Sequence, residues 1–168
     1  MKIRALIVGI ILLASGSLSF AQKSPERPDP QAILKDLYKR HAEKEGPFFN
    51  RKNRKLLEQY FNEELTGLIL KNAVAADRGT GALNFDPLYF SQDPRITEFK
   101  IGNVKLIGDA NNEEPPEEGR ADVDVTFKDS GKPVTIEFYF EQDASKAWKI
   151  GDIDYPDGDC ILVMLDGD

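Results

Sequence analysis

Asp86 and Asp93, with Gln92 between them, lie in one short segment that also carries Phe85, Tyr89 and Phe90. Two carboxylates and an amide beside aromatic rings can line the mouth of a pocket and hold a polar ligand, and a carboxyl tuned by apolar surroundings can act as a general base. The same residues also have an ordinary structural use. Asp86-Pro87 and Asp93-Pro94 are turn initiators, and the rings can belong to the core. If either carboxylate is buried, Arg95 and Arg120 are the expected charge partners, because an unpaired buried charge is costly.

Other groups capable of chemistry are few. Asp152, Asp154, Asp157 and Asp159 cluster near the C-terminus, but counted as a calcium loop the fifth position is Pro156, the sixth is Asp157 where glycine is wanted, and the twelfth is Val163 where a bidentate Glu is wanted. Pro156-Asp157-Gly158 reads as a turn, and no metal site is expected. His41 is the one histidine in the chain. A multi-histidine zinc site therefore has no ligands, and His41 is expected to cap or pack near the end of a helix. Cys160 has no partner for an internal bridge and is expected to be a buried thiol. Gly79-Thr80-Gly81 lacks the downstream residues of a phosphate loop and reads as a turn. Arg51, Lys52, Arg54 and Lys55 could touch an anionic surface, or form the solvated start of a helix. No cofactor is expected.

The elements that must position these residues come from a chain of 168 residues, with 22 Lys+Arg, 29 Asp+Glu and 40% hydrophobic residues. That suits one domain with its own core. Net charge of −7 and a pI near 4.9 argue against a nucleic-acid partner. Lys2 and Arg4 precede the apolar stretch Ala5 to Leu13, and Ser19-Phe20-Ala21 offers the small residues a signal peptidase reads. Residues 1–21 are thus expected to be an export signal cleaved after Ala21, and 22–29 a flexible lead-in. Removing the signal takes away two bases and no acids, leaving 20 against 29, a net of −9. The protein is expected to be periplasmic or secreted, with no membrane span in the mature chain.

Residues 30–168 read as a single α+β domain. Asp29-Pro30 caps a first helix over 30–45, ended by Gly46-Pro47. A second helical region opens near Asn50 or Asn53, and Gly67 is expected to divide it. From Thr97 the apolar period becomes two. One strand is expected over Glu98–Gly108, then an acidic connection from Asn111 to Gly119. A hairpin follows, with Asp129-Ser130-Gly131-Lys132 as its turn, and a last strand over Ala147–Ile153 carries a bulge at Gly151. The expected architecture is N-terminal helices packed on one face of a curved antiparallel sheet of about four strands, wrapped as a cone.

The Leu-, Tyr- and Phe-rich helices, the long acidic loop and the closing Trp148-Lys149-Ile150-Gly151-Asp152-Ile153 resemble the nuclear transport factor 2-like, or cystatin-like, superfold. Tyr60-Phe61 before Leu65, then Asp86-Pro87 followed by Ser91-Gln92-Asp93, resembles an exported bacterial family known as domain of unknown function 3828. Members often carry a lipoprotein cysteine after the signal, which this chain lacks. The family lends no activity, and its superfold hosts both enzymes and inert binding domains. The reading that results is a non-catalytic ligand- or protein-binding domain, monomeric or homodimeric, whose partner is a small molecule or a periplasmic protein. Its ligand-binding candidates are Tyr60, Asp86, Tyr89, Gln92, Asp93 and Arg120. The alternatives are an isomerase or hydrolase using Asp86 or Asp93, and an acidic inhibitor or immunity protein steered onto a basic toxin or lytic enzyme.

Overall fold

A computed structural model describes residues 28–81, 83–107 and 119–167. The signal, residues 22–27 of the lead-in and the acidic connection over 111–118 lie outside the described residues.

Helix α1 (Pro30–Ala42) starts as its sequence dictates. The Asp29 carboxylate accepts from the Ala32 N–H at 2.7 Å, and Pro30 takes the first helical position, where no N–H is needed. Its buried stripe is Ile33, Leu34, Leu37, Tyr38 and His41. The second helical region divides into α2 (Arg54–Tyr60) and α3 (Glu63–Ala76), and the break falls at Phe61-Asn62 rather than at Gly67. The reason is capping. The Asn62 side chain accepts from the Leu65 N–H at 2.8 Å, Glu63 and Glu64 complement the positive end of α3, and the Asn62 N–H donates to the Ile150 carbonyl at 3.0 Å. A cap combined with a tertiary hydrogen bond outweighs the modest helix-weakening of Gly67, which lies within α3.

Among the described residues five strands follow: β1 (Ile96–Ile101), β2 (Lys105–Leu106), β3 (Arg120–Asp129), β4 (Lys132–Gln142) and β5 (Trp148–Asp154). All pair antiparallel in the order β1-β3-β4-β5, with β2 also alongside β3. The single strand expected over Glu98–Gly108 is thus two pieces. Gly102 interrupts it: its N–H donates to the Asp124 carbonyl at 2.7 Å, and a Cβ there would stand 2.9 Å from that oxygen. In β5 the register steps from Tyr139↔Asp152 to Phe140↔Ile150, which leaves Gly151 as the extra residue of the expected bulge.

Strands β3 and β4 join through Ser130 (φ 49°) and Gly131 (φ 82°), a two-residue turn with both centres left-handed. That geometry favours Asn-Gly, since Asn tolerates the left-handed region better than Ser. Ser130→Asn is therefore expected to stabilise the fold by about 0.5 kcal/mol. A denaturation midpoint unchanged or lowered would refute it.

Alternation along the strands builds the core. Ala121, Val123, Val125 and Phe127 of β3, Ile136, Phe138 and Phe140 of β4, and Ile150 and Ile153 of β5 join the buried faces of α1, α2 and α3 in one apolar cluster. Ile161–Asp166 forms a short helix, α4, which adds Ile161 and Leu165 to that cluster. Pro156-Asp157-Gly158 is a turn, closed by the Gly158 N–H on the Tyr155 carbonyl at 3.0 Å. The architecture is α+β, with helices against one face of an open antiparallel sheet. Among the described residues, no helix is long and apolar enough to cross a membrane.

Candidate ligand pocket

His41 is a polar ring on the apolar stripe of α1, and its position demands a partner. The partner is Asp86, whose Oδ2 lies 2.6 Å from His41 Nε2. His41 is 5% exposed and the Asp86 side chain 18%. A carboxylate only accepts, so Nε2 carries the hydrogen of this bond. Asp86 Oδ1 accepts the Leu88 N–H at 3.0 Å in an Asx turn, so both carboxylate oxygens are committed. His41 Nδ1 is enclosed and has no hydrogen-bond partner among the described residues.

The segment around Asp86 is held from several elements. Tyr38 donates its hydroxyl to the Leu88 carbonyl at 2.8 Å, and Tyr155 donates to the Pro87 carbonyl at 3.2 Å. Burial keeps both phenols protonated by raising them well above the ordinary tyrosine range. Phe90 stacks on Tyr155 with centroids 4.6 Å apart, and Phe85 meets both rings edge-on. Leu88 is fully buried between these anchors.

On the other side of His41 the chain folds straight back after α1. Gly46 makes that reversal possible, since a Cβ there would come 3.2 Å from both the His41 Cα and its amide nitrogen. The reversal lays Phe49 over His41 with ring centroids 4.8 Å apart, while the edge of Tyr89 approaches from 5.7 Å. The result is a half-open cavity of about 150 Å³ lined by His41, Phe48, Phe49, Arg51, Leu83, Phe85, Asp86 and Pro87. Phe49 stands at its mouth, 51% exposed. Arg51 donates to Oδ1 of the buried Asn72 at 3.4 Å, and no carboxylate among the described residues lies within ion-pairing distance of it. A wider groove of about 560 Å³ adjoins the cavity and shares Phe49 and Arg51 with it.

The sequence-derived candidates do not all converge here. Asp86 lines the cavity, and Tyr89 braces His41. Gln92 is exposed, and Asp93 is an exposed partner of Arg95 at 3.6 Å. Tyr60 is buried elsewhere, its hydroxyl donating to Asp36 Oδ2 at 2.5 Å. Arg120 lies opposite Glu141 in the sheet and lines a separate cavity with Asn62 and Asp152. The side chain that pairs with Asp86 is therefore His41, through a hydrogen bond, where an arginine was expected. Of the two roles expected for His41, capping or packing, the structure shows packing, with the ring buried and paired. Phe48, Phe49 and Leu83 escaped sequence reasoning, and Arg51 and Pro87 were read there only as a helix-start cation and a turn residue, although a histidine one helical turn after Leu37 on an apolar face signalled a missing partner.

A second polar cluster occupies the sheet surface that carries Asp122, Asp124 and Glu137. The Tyr139 hydroxyl lies 3.1 Å from both Glu137 Oε2 and Asp154 Oδ2, and with one hydrogen it serves only one at a time. Nearby, Asp152, Asp154 and Cys160 bring ligand atoms within 4.8 Å of one another. Asp152 Oδ1 already accepts from the Ile153 and Leu162 N–H groups, anchoring α4, and burial pushes the Cys160 thiol upward, so it stays protonated.

Asp122 Oδ1 is enclosed without a partner among the described residues. Burial, followed by the charge of Glu137, raises the Asp122 carboxyl. An acid whose folded-state pKa is raised binds its proton more tightly in the native state, so it lowers stability as pH climbs through the carboxylate range and is harmless below it. Asp122→Asn is expected to stabilise the protein at neutral pH by roughly 0.5 kcal/mol, with solvent screening limiting the gain. The difference should vanish in acid, and urea titrations of both proteins across pH would expose a gain of the opposite sign.

No known protein-family profile matches the chain, and no curated protein does. Among solved structures, the chain matches the phospholipid-binding protein of Ralstonia solanacearum, determined in complex with a phospholipid. The two are 16% identical over 82% of this chain and 83% of that one, with a TM-score of 0.40.

Proposed function

We propose that this chain is an exported, non-catalytic binding domain that takes a small ligand in the cavity beside His41 and Asp86. The observation that carries this reading is the cavity itself, a half-open space walled mainly by apolar side chains, with His41, Arg51 and Asp86 as its polar lining. Both Asp86 oxygens are committed to native hydrogen bonds, and His41 Nδ1 is enclosed. Asp86 could take up or release a proton only by giving up one of these bonds, and the remaining His41 lone pair, at Nδ1, has no surface open to solvent, which favours binding over catalysis.

Native mass spectrometry of the chain recovered from cells under non-denaturing conditions is expected to show a low-mass adduct, lost in Leu83→Trp, which fills the cavity. A ligand-free spectrum, together with no thermal shift across a library of ring-sized compounds, would overturn the proposal. Export rests on residues 1–21, and N-terminal sequencing of the recovered protein should begin at Gln22. We also propose kinship with the exported family of unknown function 3828 and its nuclear transport factor 2-like superfold. Its support is the quoted Tyr60-Phe61, Asp86-Pro87 and Ser91-Gln92-Asp93 motifs.

A further inference from the structure

Resting on the reading of this cavity as a ligand site, we propose that its ligand is a small arylcarboxylate, with its ring among Phe48, Leu83 and Phe85 and its carboxylate on Arg51. Size selects the ring. A cavity of about 150 Å³ with apolar walls holds one benzene-sized group and little more. The aromatic lining suits a flat ring, because Phe48 and Phe85 can meet it edge-on or offset while Pro87 and Leu83 close the remaining walls.

Charge selects the substituent. Arg51 lies at the junction of cavity and groove, half-buried, and buried Asn72 fixes its position through a single long hydrogen bond. A guanidinium carries five donors in a planar fork that matches a carboxylate, so most of its capacity is available to a bound anion. The cation beside it behaves differently: Lys52 is occupied by Asp77 at 2.5 Å. Asp86 also lines the cavity, but both of its carboxylate oxygens already accept hydrogen bonds, from His41 and from the Leu88 N–H, so a ligand carboxylate is best placed on Arg51. A cationic ring would meet Arg51 as a like charge and is disfavoured.

The test uses the full mature chain and two isosteric probes, benzoate and benzamide, titrated by calorimetry or by ligand-observed NMR. Benzoate is expected to bind about tenfold more tightly than benzamide, and Arg51→Gln should erase that preference while leaving benzamide affinity within about twofold. Lys52→Gln should leave the preference intact, which separates local recognition from general loss of positive charge. Equal affinities for the two probes in the native protein, or a preference that survives Arg51→Gln, would overturn the arylcarboxylate assignment and leave the cavity as a site for neutral rings. Failure of both probes to bind at their solubility limits would overturn the ligand site as well as this inference.

Discussion

Asp86→Ala lowers stability by about 3 kcal/mol, the expected sum of a broken buried pair and a lost Asx-turn hydrogen bond. The substitution leaves His41, 5% exposed, with neither ring nitrogen partnered, and it frees the Leu88 N–H. For a domain of this size the loss should lower Tm by roughly 10 °C. A double-mutant cycle isolates the pair. In a His41→Leu background there is no buried imidazole to strand, so the same Asp86→Ala change should cost only about 1 kcal/mol, the value of the turn. Equal costs in the two backgrounds would show that the His41–Asp86 contact contributes nothing and that Asp86 acts only as a turn former. The cavity should suffer with the pair, since His41 and Asp86 form one of its walls.

Phe138→Ala is expected to cost about 4 kcal/mol, through lost burial of the ring and the void left behind. Phe138 has no solvent exposure and sits on the inner face of the central strand β4. Its ring meets Tyr38 edge-on at 6.1 Å, and Tyr38 in turn holds the Leu88 carbonyl, so the void opens beside the segment that presents Asp86. Phe138→Leu keeps much of the volume and should recover more than half of the loss. Chemical denaturation of the two variants checks the order. If leucine proves as damaging as alanine, the strand depends on aromatic contacts with Tyr38 rather than on filled volume.

Locally determined features were legible in the chain. The Asp29-Pro30 start of α1 needs only the side chain three residues before the amide it caps. The Ser130-Gly131 turn needs only its own backbone preferences and alternating strands on either side. Gly151 marked its bulge because an unpaired residue in a bent strand tolerates a missing side chain. Errors arose where a distant partner decided the outcome. Gly67 looked like the weak point of a long helix, but the strand edge at Ile150 takes the Asn62 N–H and moves the break. Gly102 splits an apparently continuous strand where its N–H meets the Asp124 carbonyl, an approach so close that a Cβ would stand only 2.9 Å from that oxygen.

The candidate site follows the same division. Asp86 was conspicuous as a carboxylate before proline among rings, and His41 as a polar ring on an apolar stripe, yet the two are 45 residues apart in the chain. By itself, the sequence determined the cap, the turn, the inward and outward faces of β3 and β4, and the acidity of the chain, because each depends on side chains within a few positions of one another. Only the tertiary structure decided that Asp86 faces His41 rather than an arginine, that Arg51 turns from a helix-end cation into the rim of a cavity, and that Tyr60, Gln92, Asp93 and Arg120 stand apart from it. The physical reason is that hydrogen bonding and charge pairing over long chain separations are selected by the packing of the core, and residue type alone specifies that a partner is needed without specifying which one.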